Sequence, residues 1–258
     1  MNVESWPLRG LRKRAGTIST VIVISVWSVL SYGNIISRLI LPTPTAVVTS
    51  FVPLWQEHGL ILSLGASFAR VVAGMGLAVG ACFALSILMG TSPTSKAFLI
   101  PLTSQNRYLP VAALVPLFIV WFGIEELMKI MLLFVGTTLY LLPLMVDSVK
   151  SVDRVLIETA YTLKATKWRV IRFVIVPASL PDMLQKVRVV GALGWTYLII
   201  AEMINARHGL GQLIYTASKY SRTDQVGAVL ILILVIGIGW DKTLKLLHNR
   251  LFLWKMSA

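Results

Sequence analysis

Val155–Pro181 reads VLIETAYTLKATKWRVIRFVIVPASLP. Lys164, Lys167, Arg169 and Arg172 alternate there with Leu163, Trp168, Ile171, Val174 and Ile175. The stretch is basic, amphipathic and helix-forming, and strongly apolar segments flank it on both sides. A polar insert of this kind, late in a chain of apolar runs, reads as a contact surface for something in the cytoplasm.

The surrounding chain fixes the class. Its 258 residues are 56% hydrophobic and 14% charged, against about 25% charged in a soluble domain. The apolar residues fall in long runs, so the expectation is an all-α polytopic membrane protein with about six transmembrane helices in a single domain, 1–258. The expected spans are 17–32, 60–90, 98–124, 127–146, 187–204 and 226–240. The basic cluster Arg9, Arg12, Lys13 and Arg14 before the first run resembles the start of a signal peptide, but no small-x-small cleavage site follows, so a retained span is expected.

The net charge of +13 does not point to nucleic acid, because the basic residues lie between apolar runs, where they set topology and meet anionic lipid. On the expected topology eighteen of the 24 Lys and Arg residues fall on one side, among them Lys150, Arg154, Lys186, Arg188, Arg107 and Lys255. Five fall on the other side: Arg38, Lys129, Arg207, Lys219 and Arg222. This asymmetry predicts both termini, and Val155–Pro181 with them, in the cytoplasm. Glu125, Glu126 and Lys129 then mark an outer turn, and Asn205–Gln225 an outer loop.

Further features stand out along the chain. Thr43 can cap a helix beginning at Pro44, either a short surface helix or a docking surface for an external partner. Gly76 and Gly80 form a Gly-x-x-x-Gly pair suited to close helix packing. Pro101, Pro110 and Pro116 interrupt the third span. They either kink a packing helix or line a solute path, as broken helices do in transporters. Arg70 sits inside the second span and Glu202 near the outer end of the fifth. Arg70 either attracts an anion or forms an ion pair with Glu202, and pairing is favoured because an unpaired buried charge is costly.

Several chemistries have no residues to carry them. No Gly-x-x-x-x-Gly-Lys-Ser/Thr loop is present, so the chain does not hydrolyse nucleotide by that route. No His-Glu-x-x-His is present, His58, His208 and His248 lie in loops or near the C-terminal end, and Cys82 is the sole cysteine. Neither a serine nucleophile with a buried histidine partner nor a cysteine-rich metal site can be assembled from these residues.

The insert resembles the EAA loop of the membrane subunits of bacterial ABC importers. That pattern has Glu-Ala-Ala, a glycine four positions later, then Ile-x-Leu-Pro. Here the matching residues are Glu158, Thr159, Ala160, Lys164 and Val174–Pro177. Thr159, Lys164 and Val176 depart from it. LPTPTAV (Leu41–Val47), PLFIVWFGI (Pro116–Ile124), VPASLPD (Val176–Asp182), GWTYLIIAEM (Gly194–Met203) and GLGQLI (Gly209–Ile214) look like the branch of permeases for aliphatic sulfonates, taurine, nitrate and bicarbonate.

The resemblance implies a type I ABC importer permease fold in a bacterial inner membrane. It implies that residues 155–181 form two short helices docking on a cytoplasmic ATPase subunit, with Leu163 and Trp168 in the apolar face and Pro177 closing the second helix. It further implies a second permease copy, a periplasmic substrate-binding protein, no cofactor in this chain and ATP–Mg bound by the ATPase. An ATP-independent channel or carrier, or a scaffold recruiting a cytoplasmic partner, are the competing readings. A left-handed turn at Lys164 would be natural for glycine and costly for lysine.

Overall fold

The structure, a computed structural model, describes residues 9–104 and 109–253. Arg107 and Lys255, both assigned above to the inner side, lie outside the described residues. Packing divides the chain into two compact units, Met1–Leu60 with Leu213–Leu232, and Ile61–Gln212 with Ile233–Ala258. Among the described residues the regular structure is helical.

In the first unit, α1 (Arg9–Tyr32) is followed by two short helices, α2 (Pro44–Thr49) and α3 (Phe51–Gln56). Thr43 caps α2 as expected, its side chain accepting from the Ala46 N–H at 3.2 Å, with Pro44 in the first turn. The short helices are tied to their neighbours. Trp27 Nε1 donates to the Pro42 carbonyl at 2.9 Å, Tyr32 Oη donates to Thr45 Oγ1 at 2.9 Å, and Ser50 Oγ donates to the Asp224 carbonyl at 3.1 Å.

The second unit is built on long helices: α4 (Leu60–Thr91), α7 (Glu126–Lys150), α10 (Val176–Asn205) and the later part of α12 (Thr223–Leu251). Between α4 and α7 lie α5 (Pro93–Ser104), a 3-10 turn at Val111–Leu114 and α6 (Val115–Phe122). After α7 come α8 (Arg154–Thr162) and α9 (Lys167–Val170), and α11 (Leu210–Lys219) follows α10. Val111, Val115, Phe118, Met128, Leu132 and Ala201 form a buried cluster that joins α6, α7 and α10.

Four helices among the described residues are long and apolar enough to cross a bilayer: Leu60–Thr91, Glu126–Lys150, Lys167–Ile204 and Thr223–Leu251. Gly16–Tyr32 and Val111–Phe122 are shorter apolar helices. The expected third span, 98–124, is not one kinked helix. It consists of α5 and a separate piece beginning at residue 111. Pro110 and Pro116 stand at the starts of helical turns, where a missing N–H breaks no bond. The sixth helix outruns its expected span of 226–240 because Lys242–Arg250 alternates basic and leucine residues and continues an amphipathic helix past the apolar run. The expected outer loop Asn205–Gln225 contains α11, whose buried Leu210, Leu213, Ile214 and Ala217 give it a packing face.

The small residues of α4 work differently from the Gly-x-x-x-Gly reading. The buried stripe of this helix is Ser67, Val71, Met75, Ala78, Cys82, Ser86 and Met89, at a spacing of three to four residues. Gly76 and Gly80 lie off it, and a Cβ added at either meets nothing within 4 Å. Close approach to α7 occurs instead at Gly74, where a Cβ would stand 2.6 Å from Leu133 Cδ2, and at Gly90, where it would overlap Val149 Cγ1. Gly90→Ala is therefore expected to destabilise the chain by about 1–3 kcal/mol through overpacking. Gly76→Ala is expected to be neutral or stabilising by up to about 1 kcal/mol, since alanine is the better helix former. Thermal unfolding midpoints of the two variants in the same detergent check the contrast.

Candidate functional site

The insert folds as a helix, a turn and a second helix. Asp153 starts α8, its carboxylate accepting from the Val155 N–H at 2.9 Å. The end of α8 is a Schellman motif. Ala165 N–H donates to the Ala160 carbonyl at 3.1 Å and Lys164 N–H to the Tyr161 carbonyl at 2.9 Å. Lys164 occupies the left-handed position, with φ +58°. A lysine there carries a steric cost of about 1 kcal/mol or more that glycine lacks, partly offset by glycine's greater freedom in the unfolded chain. Lys164→Gly is thus expected to match or exceed the parent in stability, by up to about 1 kcal/mol, and to keep full function. A clear loss of both in a melting and transport assay would overturn this.

Pro177 does not close the second helix. From Lys167 the chain stays helical through α9, a π turn at Ile171–Ile175 and α10. The Val176 N–H reaches back to the Ile171 carbonyl, the five-residue bond of a π turn. This wide turn directly precedes Pro177, which then sits in the first turn of α10, where its missing N–H is tolerated. The second helix of the insert and the fifth span are one continuous helix, Lys167–Ile204.

The loop presents its apolar side chains outward. Leu163 is 78% exposed and Trp168 67%. Leu156, Glu158 and Thr159 are also exposed, Ala160 is half-buried, and Pro177 is exposed. Val170 is buried and anchors α9. Two large apolar side chains left exposed beside a capped turn make a surface that another molecule can cover.

A second constellation lies at the opposite end of α7 and α10 from the loop. Arg70 is 5% exposed and Glu202 is fully buried. Arg70 Nη1 donates to Glu202 Oε1 at 2.6 Å and to the His208 carbonyl at 2.7 Å. The favoured pairing is present, with a second carboxylate added. Arg70 Nε and Nη2 grip Glu126 at 2.6 and 2.7 Å. Lys129 is buried rather than exposed in an outer turn, with Nζ 3.6 Å from Glu126. Two cations and two carboxylates therefore balance.

Glu202 also orders the start of α11. It accepts from Ser67 Oγ at 2.8 Å and from the Gly211 N–H at 2.9 Å, while the Leu210 N–H donates to Ser67 Oγ at 2.9 Å. The Gly-Leu-Gly of residues 209–211 permits this approach. A Cβ at Gly209 would lie 2.5 Å from Glu202 Cδ, and one at Gly211 2.5 Å from the Ile199 carbonyl oxygen. Glu126, Ser67 and the buried state of Lys129 escaped the sequence reading. The available signal was charge balance, because Arg70 and Lys129 together need more than Glu202. Pro110 and Pro116 are exposed and take no part in either constellation.

Along α10 and α12, Arg188 pairs with Asp241, and Gln185 Nε2 lies 3.3 Å from His248 Nε2. Among the described residues no group of three or more His, Cys, Asp or Glu could hold a metal ion.

Comparison with known proteins matches residues 76–251 to the family of the binding-protein-dependent transport system inner membrane component. The chain is 31% identical over 99% of its length to the aliphatic sulfonates transport permease protein SsuC of Bacillus subtilis, covering 94% of that protein. It is 32% identical to the taurine transport system permease protein TauC of Escherichia coli, over 96% of this chain and 92% of the relative. Its fold resembles that of a solved chain of the MetNI methionine ABC transporter in an inward-facing conformation, with a TM-score of 0.65 and 16% identity over 77% of this chain and 96% of the other. The coverage, the long apolar helices and the type I permease fold agree, and the chain belongs to the family of inner membrane components of binding-protein-dependent transport systems.

Proposed function

We propose that this permease translocates a small sulfonate-bearing solute, an alkanesulfonate or taurine, delivered by a periplasmic binding protein and driven by cytoplasmic ATPase subunits that dock on residues 154–175. The observation that carries the reading is the exposed apolar pair Leu163 and Trp168 on a helix-turn-helix that runs unbroken into a membrane-length helix. The names of SsuC and TauC support the solute class. The inward bias of basic residues supports cytoplasmic termini and a cytoplasmic loop, with the Arg70 cluster towards the outer side. A pair of these chains would enclose the path. ATP and Mg are assigned to the ATPase, since this chain lacks a phosphate-binding loop.

Glu158, exposed on α8, and the exposed basic residues of the loop would meet polar or acidic groups of the ATPase around the apolar pair. Co-reconstitution of the permease with its ATPase and binding protein in liposomes tests the proposal. Taurine- or alkanesulfonate-stimulated ATP hydrolysis with uptake is expected. Uptake by the permease alone, without ATPase, would establish a channel or carrier instead.

A further inference from the structure

We infer that Arg70 and Lys129 form an anion-binding site whose resident ligand is the Glu126 carboxylate, which an entering sulfonate displaces. The inference builds on the permease reading above by giving its solute a first contact within the membrane subunit.

The two carboxylates of the cluster are not equivalent. Glu202 has no exposure and is fixed by Ser67, Arg70 and the Gly211 N–H. Glu126 is 56% exposed, and its contacts are with Arg70 and Lys129. One carboxylate is therefore a permanent counterion, and the other is free to swing out.

The groups it would leave behind suit an oxyanion. The Nε and Nη2 edge of Arg70 binds Glu126 with two short bonds, at 2.6 and 2.7 Å. That planar fork accepts two oxygens of a carboxylate or of a sulfonate equally well. Lys129 Nζ stands on the same side of the carboxylate, 3.6 Å from Oε1, with its remaining contacts at 3.3 Å to the Ile124 and Glu125 carbonyls. A third sulfonate oxygen can take this ammonium. Glu126 also opens α7, a helix of 25 residues, whose N-terminus favours negative charge.

Charge settles the stoichiometry. With Glu126 in place the four side chains balance. With Glu126 withdrawn they carry one net positive charge in a largely buried site, which one monovalent anion neutralises. Uncharged solutes gain nothing from the exchange.

The test uses the full-length chain in nanodiscs of neutral lipid, with methanesulfonate as the probe. In the wild-type chain, carbodiimide modification of Glu126, followed by peptide mass spectrometry, is expected to accelerate severalfold and saturably when methanesulfonate replaces chloride at constant ionic strength. Neutral dimethyl sulfone is expected to have no effect. Glu126→Gln removes the resident charge and is expected to bind methanesulfonate about tenfold more tightly, and Glu126→Gln/Lys129→Met to lose that gain. An unchanged labelling rate in the wild-type chain overturns the inference even if the variants do not fold. Equal affinity of wild-type and a folded Glu126→Gln also overturns it. Because no ATPase or binding protein is present, failure of the transport reading in liposomes leaves this result separate.

Discussion

Arg70→Ala is expected to lower the stability of the chain by about 3–5 kcal/mol, the usual effect of stripping one partner from a buried ion pair. Glu202, with no solvent exposure, would keep a charge facing only Ser67 and a backbone N–H. Glu202→Ala is expected to cost less, because Arg70 retains Glu126 and the His208 carbonyl. It should still loosen the first turn of α11, which loses the acceptor for the Gly211 N–H. Glu126→Ala should also cost less than Arg70→Ala, since its carboxylate is more than half exposed and Arg70 keeps Glu202 and the His208 carbonyl. The double variant Arg70→Ala/Glu202→Ala is expected to be no worse than Arg70→Ala alone, because the second change removes the orphaned charge left by the first. A double-mutant cycle from denaturation midpoints gives the coupling, and strictly additive losses would exclude the pairing as a stabilising unit.

The Arg70 cluster shows how far sequence reasoning reaches in such a chain. An arginine inside an apolar helix demands a partner, so Arg70 and Glu202 could be joined from hydropathy and span direction alone. Glu126 could not be joined that way. It lies in a run with Glu125 and Lys129 that looks like a solvated turn, and only the path of α6 into α7 brings Lys129 into the interior. The Gly-Leu-Gly at 209–211 carried a signal whose meaning was steric. Each glycine makes room for the Glu202 side chain or its helix backbone, and neither contact is visible without coordinates.

Helix boundaries divide along similar lines. The second and fourth spans were legible because their apolar runs coincide with their helices. The fifth and sixth helices outrun their expected spans because hydropathy marks the apolar run, whereas the helices continue beyond it as amphipathic segments. The third was misread because proline identity does not reveal whether the residue bends a helix or begins one. At Pro110 and Pro116 it begins one. The loop was the most legible part, because the resemblance of Glu158–Pro177 to the EAA pattern implied two helices joined by a turn. The π turn that fuses the second helix to α10 left no recognisable mark.

That fusion gives the second large expected effect. Leu163→Asp and Trp168→Asp, alone or together, are expected to leave the fold intact, since both side chains are mostly exposed. On the proposed docking role they should reduce solute-stimulated ATP hydrolysis and uptake at least about tenfold. Covering a leucine or tryptophan is worth about 1.5–3 kcal/mol per side chain, each 1.4 kcal/mol is a factor of about ten in affinity, and a buried aspartate adds a desolvation penalty. Val170→Asp is the structural control: Val170 is 1% exposed, so that variant should fail by unfolding. The separation matters because the helix leaving the loop runs without interruption from Lys167 to Ile204, roughly 55 Å at the α-helical rise. It ends on Glu202, the fixed carboxylate of the Arg70 cluster. A displacement of α9 by a docked ATPase would therefore reach the charged cluster through one rod. Retained basal ATP hydrolysis with lost stimulation in Trp168→Asp would locate the defect in transmission along that rod, and full stimulation in the Leu163→Asp/Trp168→Asp pair would show that the ATPase engages the permease elsewhere.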